Sequence, residues 1–189
     1  MLDLLAQGER TVDALARVSD LGLTTASAHL QTLKAANLVA TRREGTKVYY
    51  RLAGTDVAEL FASVRTVASA HLPDVGAARS AYLGPDTDEV TRAELLDRVQ
   101  SGHVTVVDVR PREEYAAGHI PGAKSIPLDE LADRRADLPE DEDIVAYCRG
   151  AYCVLAHEAV RLLTGHGRSA IRLADGMLEW RLADLPVAT

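Results

Sequence analysis

Thiols are almost absent from this chain: its 189 residues include two cysteines, Cys148 and Cys153, both inside the stretch IVAYCRGAYCVLAHEAV. Two cysteines do not make the crosslinked framework of a small secreted scaffold. In a reducing compartment so close a pair points to catalysis, redox chemistry or metal binding. Aromatic residues are also few, with one Phe and one Trp, so any core has to be built from Leu, Val, Ile and Ala. No apolar run approaches the roughly 18 residues of a membrane span. The opening MLDLLAQGERTVDAL has neither the basic start nor the cleavage pattern of a secretory signal. These absences predict a soluble, cytoplasmic protein that does not engage a membrane.

What is present divides in two. Residues 1–84 carry 9 Lys/Arg against 8 Asp/Glu, whereas residues 85–189 carry 12 against 20, and the whole chain has a net charge of −7. Gly84 and Pro85 punctuate the chain at the change, polar residues follow, and Thr91 with Glu94 forms a capping box that opens a new helix. The predicted organisation is a domain over 1–83, a linker over 84–89 and a second domain over 90–189. No internal repeat or low-complexity tract is visible.

In the first part, TVDALARVSD reads as a short helix with Thr11 as N-cap and Ala14, Leu15 and Val18 on one face. After the turn LGL, TTASAHLQTLKAANL reads as a second helix with Ala26, Leu30 and Leu33 in a stripe. Two short helices joined by a Gly-containing turn make a helix-turn-helix. LVATRREGTKVYYRLAG then reads as two strands reversing around Glu44 and Gly45, a basic wing. The fold class expected here is a mainly α winged helix-turn-helix with a β wing. The expected partner is double-stranded operator DNA. Thr24, Thr25, Ser27, His29 and Gln31 of the second helix would face the major groove, and Arg42, Arg43 and Lys47 of the wing would meet phosphates or the minor groove. A solvated turn is the plainer account of the wing charges taken alone. The near-neutral balance of this part leaves specificity to a few contacts and to dimerisation.

The run GLTTASAHLQTLKAANLVATRREGTKVYYRL resembles the ArsR-type winged-helix repressors, over residues 1 to about 83. The resemblance implies a homodimer that releases operator DNA on sensing a metal or a thiol-reactive signal. The chain starts inside what resembles the family's second helix, so the preceding dimer helix is expected to be truncated. The later helix TDVAELFASVRTVASAHL, with Leu60, Val64, Val67 and Leu72, would then bear the dimer contact. Metal-sensing members carry cysteines where this chain has Ala16, Arg17, Val18 and Ser19, so thiolate metal sensing is excluded in this domain. His71 with Asp56 or Asp74 is too sparse a ligand set, and neither a metal nor a cofactor is expected.

From residue 90 strands alternate with helices, which predicts an α/β domain with a mostly parallel sheet. The strand DIVAYC would end at Cys148, where ligands of such sheets bind. A turn through Arg149 and Gly150 into a helix beginning near Tyr152 would aim backbone N–H groups at the Cys148 sulfur, and Arg149 adds positive charge. A lowered Cys148 pKa is therefore expected. The plainer account is a small buried hydrophobe ending a core strand.

VVDVRPREEYAAGHIPGAKSIPLDEL, IVAYCRGAYCVLAHEAVRLL and LADGMLEWRLADLPV together resemble the rhodanese (sulfurtransferase) family over about residues 89–187. The resemblance implies that Cys148 takes up sulfane sulfur as a persulfide inside a loop of Arg149, Gly150, Ala151, Tyr152, Cys153 and Val154. It further implies that Asp108, Arg110 and Glu114 form a structural ion-pair set, with His119 a packing residue. Related phosphatases and arsenate reductases have an arginine where this chain has Val154, and its absence removes the clamp a phosphate dianion needs. Position five of the loop, often a hydroxyl residue in rhodaneses, is Cys153. The sequence thus predicts a transcriptional regulator that senses reactive sulfur, from a donor such as thiosulfate or polysulfide, through a Cys148 persulfide and a resolving Cys153. Its alternative is an active sulfurtransferase, passing sulfur to thiol or cyanide, with an accessory DNA-binding domain.

Overall fold

The structure, a computed structural model, describes residues 1–189 except Pro85, Asp86 and His103. Pro85 and Asp86 of the expected linker, and His103 at the head of an expected strand, lie outside the described residues. The chain separates into two compact units, Met1–Val67 and Ala68–Thr189.

The first unit opens with helix α1 (Leu2–Gln7), strand β1 (Arg10–Thr11) and helix α2 (Val12–Val18). Thr11 caps α2 by accepting from the Ala14 backbone N–H. Asp20, in left-handed backbone at φ 51, turns the chain into helix α3 (Leu23–Ala35). Asn37, also left-handed, ends α3, with the Leu38 N–H returning to the Leu33 carbonyl. That pattern stops a helix by satisfying its last carbonyls. Strands β2 (Val39–Glu44) and β3 (Lys47–Leu52) pair antiparallel, with Glu44 opposite Lys47. The reversal is centred on Gly45 and Thr46, one residue later than the sequence suggests, because the positive φ of a two-residue hairpin falls on Gly45. Strand β1 adds to the free edge of β3. Leu5, Leu15, Leu30, Val39 and Tyr50 close the core.

Helix α4 (Thr55–His71) begins in the first unit and ends in the second. Its Leu60, Val64 and Val67, with Leu72 just beyond, are 55–58% exposed. Helix α5 (Pro73–Leu83) follows and is part of the second unit. The two units divide between Val67 and Ala68, and specific contacts tie the end of α4 and α5 to the second unit. The Leu83 carbonyl accepts from Arg161 Nη1 at 3.0 Å. Arg79 lies over the Tyr152 ring, and the Ser69 and Tyr152 hydroxyls are hydrogen-bonded.

The second unit continues with strand β4 (Glu89–Val90), helix α6 (Arg92–Ser101), strand β5 (Val104–Asp108), helix α7 (Arg112–Ala116), strand β6 (Lys124–Ser125) and helix α8 (Leu128–Arg134). After a 3-10 turn come strand β7 (Asp143–Tyr147), helix α9 (Val154–Gly165), strand β8 (Ala170–Leu173) and helix α10 (Met177–Leu182). Thr91 and Glu94 make the reciprocal capping box of α6. Among the described residues the sheet runs β4-β8-β7-β5-β6 with parallel pairing throughout. Its central strands are apolar on both faces, as a sheet covered on both sides requires. Ile144, Ala146 and Val107 meet Ala156, Ala159, Val160 and Leu163 of α9 on one face. Val106, Val145 and Tyr147 meet Leu95, Met177 and Trp180 on the other. No helix among the described residues is long and apolar enough to cross a membrane.

Candidate functional site

Strands β5 and β7 are neighbours in register, so Asp108 and Tyr147 end side by side at the carboxyl edge of the sheet. Asp108 and Arg110 are both fully buried and pair at 2.5 Å. The Tyr147 hydroxyl donates to Asp108 Oδ2 at 2.6 Å and accepts from the Ile120 N–H at 3.1 Å. Arg110 Nη2 donates to the Gly118 carbonyl at 2.9 Å. Burial, reinforced by the Asp108 charge, pushes the Tyr147 phenol up, so it remains a donor. A buried ion pair is favourable only when its remaining polar atoms are also satisfied, and here the phenol, the carbonyl and the backbone do so.

One turn away, Glu114 is buried and holds Arg149 through Nε at 3.0 Å and Nη2 at 2.7 Å. The Arg149 guanidinium is thereby turned onto Glu114. His119 stacks on Tyr115 at 3.6 Å between centroids, and its Nδ1 is hydrogen-bonded to the Tyr115 carbonyl.

Cys148 follows the last residue of β7, and α9 begins at Val154, two residues later than the sequence suggests, with Cys153 as its N-cap residue. The loop between them is pinned at three points. The Cys153 N–H reaches the Gly150 carbonyl at 2.9 Å, the Met177 N–H reaches Cys148 O at 2.9 Å, and the Leu178 N–H reaches Arg149 O at 3.1 Å. Gly176 allows this contact, since a Cβ there would lie 2.2 Å from the Gly150 nitrogen. Ala151, Tyr152 and Val154 are half-buried, and Gly150 is buried.

The two thiols are unbridged. Cys148 is 2% exposed, among Val107, Val109, Ala146, Ala156 and Val160, whereas Cys153 is half-buried. The Cys148 thiol reaches the Cys153 carbonyl oxygen at 3.4 Å, which sets the two residues side by side. Backbone N–H groups of Ala156 and Gly150 point at the Cys148 sulfur, and those of Arg149 and Leu155 at the Cys153 sulfur. The cradle expected around Cys148 therefore serves both sulfurs. The pKa expectation is corrected: burial, followed by the adjacent Cys153, pushes the Cys148 thiol well up. The Cys148 side chain brings Cys153 down to about 7 against its own burial, helped by the Arg149 and Leu155 N–H groups. Two interacting acids lose their two protons in separated steps, and the first loss falls on the more exposed sulfur.

In the first unit, Thr24, Thr25, His29 and Gln31 of α3 are exposed and Ser27 is half-buried. Thr24 and Gln31 share the outward face, at helical spacing. Gln31 Nε2 donates to the Tyr50 hydroxyl at 3.2 Å. His29 lies around the helix from that face, in the wall of an open groove with Leu2, Leu21, Leu33 and Phe61. Arg42 is committed to Glu9 at 2.9 Å and Glu44 at 2.7 Å and lies over the Tyr49 ring, while Arg43 and Lys47 extend from the hairpin into solvent. Nothing local in the sequence marks Tyr147, Gly176, Ser69 or Arg79 as part of the site. Tyr147 adjoins Cys148 and Gly176 precedes the last helix, but their partners lie 26 or more positions away and leave no local signal.

A family model for the rhodanese-like domain matches residues 91–183. The HTH-type transcriptional regulator Rv0324 of Mycobacterium tuberculosis is 63% identical over 187 residues, covering 99% of this chain and 83% of its own. A sulfurtransferase of Allochromatium vinosum is 33% identical over 101 residues, covering 53% of this chain and 94% of its own. The solved structure of the BH2092 protein of Bacillus halodurans is similar with a TM-score of 0.51 and 31% identity, over 54% of this chain and 77% of its own.

Gly176→Ala is expected to displace the Cys148–Val154 loop and to cost about 1–3 kcal/mol, the range of overpacking in a filled site. Urea denaturation measures the cost, and thiol alkylation rates show whether the two cysteines lose their difference in reactivity.

Proposed function

The chain belongs to the HTH-type transcriptional regulators and carries a rhodanese-like domain, and from that premise we propose that it is an ArsR-type regulator that senses reactive sulfur through Cys148 and Cys153. The observation that carries the reading is the pair itself. The two thiols of a thiol-poor chain are unbridged and lie in one loop, with the Cys148 thiol 3.4 Å from the Cys153 carbonyl oxygen. Tyr152 of that loop is hydrogen-bonded to Ser69 at the end of α4. A change in the loop therefore has a physical route into the helix that starts in the DNA-binding unit.

The chemistry balances with a polysulfide as oxidant. A cysteine thiolate attacks its outermost sulfane sulfur, an S–S bond breaks, and the shortened polysulfide leaves with the electron pair. Cys148 then carries a persulfide. Attack of the Cys153 thiolate on the Cys148 sulfur expels hydrosulfide and forms a disulfide. Two thiols are oxidised and one sulfane sulfur is reduced. Asp108, Arg110 and Glu114 hold the strand ends and Arg149 in place and do not touch the reacting sulfurs. Thr24, Thr25, Ser27 and Gln31, with Arg43 and Lys47, are the residues proposed to contact operator DNA. His29 and Arg42 are placed at its margins, because one lines a groove and the other is ion-paired.

Leu60, Val64, Val67 and Leu72 support a homodimer, since a contiguous exposed apolar stripe of this kind marks an interface. Val64→Glu is expected to convert the protein to monomer by light scattering and to weaken operator binding.

A sulfurtransferase is the second reading, favoured by the 33% identity to the Allochromatium enzyme over most of that enzyme's length. Operator affinity before and after polysulfide treatment separates the two. A sensor shifts its affinity about 5–150-fold, the usual span of coupling between sites, and lacks multiple turnover with thiosulfate and cyanide. Unchanged affinity, with both cysteines shown by mass spectrometry to have reacted, excludes the sensor, and sustained turnover lost in Cys148→Ser establishes the transferase.

A further inference from the structure

The second unit contains a cavity of about 360 Å³ to which the cysteine loop contributes no lining residue. Arg79 and Ser80 of α5, Thr87 and Glu89 at the start of β4, His157 of α9 and Arg172 of β8 form its wall. We propose that this cavity binds a small organic anion, a carboxylate or a phosphate ester, and that its occupancy is felt at the Cys148–Val154 loop through Arg79.

The chemistry of the wall is the first ground. All six of these side chains are polar, and two guanidinium groups face one carboxylate. Arg172 is 5% exposed. Its Nη1 donates to the Ala174 carbonyl at 3.2 Å and its Nη2 pairs with Glu89, while its buried Nε has no hydrogen-bond partner among the described residues. A buried donor in that condition costs stability, and an anionic oxygen is the acceptor that suits a guanidinium best. Glu89 is half exposed and already sets a carboxylate on this arginine, so the position accepts such a group. Thr87 holds the buried His157 ring through Nδ1 at 3.2 Å, which fixes two more polar groups in the wall.

Space is the second. The volume lies in the lower part of the span of small-molecule sites, about 300–1,000 Å³, which points to an organic anion rather than an inorganic one. Helix α5 places Gly76 against the cavity, where a Cβ would meet nothing within 4 Å. A glycine inside a helix costs about 1 kcal/mol relative to alanine, and here it leaves the space open.

Arg79 supplies the link. Its guanidinium carbon lies 5.7 Å from the centroid of the Tyr152 ring, and the same side chain lines the cavity. A bound anion and the ring therefore draw on one arginine. The anion is the stronger partner, because a charge-assisted hydrogen bond outweighs an exposed cation–π contact. Occupancy thus loosens the hold of α5 on Tyr152, a residue of the cysteine loop.

Calorimetric titration of the full-length protein with succinate and with glycerol phosphate tests this, and the two probes separate a carboxylate ligand from a phosphate ligand. The native protein is expected to bind at least one of them. Gly76→Leu fills the cavity without altering its charges and is expected to abolish binding. Arg79→Gln is expected to weaken it at least about tenfold, the loss of one charge-assisted hydrogen bond. Glu89→Gln removes the resident carboxylate charge and is expected to tighten binding, an effect that structural damage would not produce. The bound probe is expected to change the rate at which iodoacetamide alkylates Cys153 in the native protein and to leave that rate unchanged in Gly76→Leu. Failure of both probes to bind at millimolar concentration overturns the site, as does undiminished binding in Gly76→Leu with native circular dichroism. Binding with no change in the alkylation rate overturns the link through Arg79. No cysteine lines the cavity, so each of these outcomes leaves the sulfur-sensing reading standing.

Discussion

Two thiols set side by side in one loop govern the chemistry of this molecule. The Cys148 thiol reaches the Cys153 carbonyl oxygen, and each cysteine shifts the acidity of the other. Cys153 adds to the burial that raises the Cys148 thiol, and Cys148 is the main cause of the lowered Cys153 thiol. The half-buried sulfur carries the charge and the buried one keeps the proton, an asymmetry set by exposure.

The rest of the second unit keeps those two sulfurs together. Strands β5 and β7 deliver Asp108 and Tyr147 to one edge, where the Asp108–Arg110 pair is completed by a phenol, a carbonyl and the backbone. Glu114 takes the Arg149 side chain, so the loop's arginine is an anchor and its backbone N–H is what faces sulfur. Gly176 lets helix α10 approach the loop closely enough to bond Cys148 and Arg149 carbonyls. Tyr152 is the outward face of this assembly, held by Ser69 and Arg79.

Much of this was legible because much of it is local. The Thr11 and Thr91 caps, the alternation of β2 and β3, the apolar spacing of α9 and the strand before Cys148 are each written within a few residues. The pattern over residues 73–83 does not by itself mark helix α5, although Pro73 at its first turn is an ordinary start signal. The loop and its residues are legible in the sequence, but the lowered thiol falls on Cys153 and not on Cys148. The sequence shows that N–H groups follow Cys148; it does not show that strand β7 carries that residue into the core, where desolvation outweighs them. Tyr147 and Gly176 acquire their roles from partners distant in the chain, and Arg42 is drawn away from a wing's usual duty by Glu9, 33 positions earlier.

The central claim is the unequal acidity of the two neighbouring thiols, and a pH titration of the thiolate absorbance, resolved by NMR of isotope-labelled cysteines, tests it most directly. The account predicts a first ionisation at about 7 on Cys153. Cys153 is then a thiol below that pH and a thiolate above it, and Cys148 stays protonated well into the alkaline range. Two independent ionisations near the ordinary thiol value, or a first ionisation on Cys148, would contradict it.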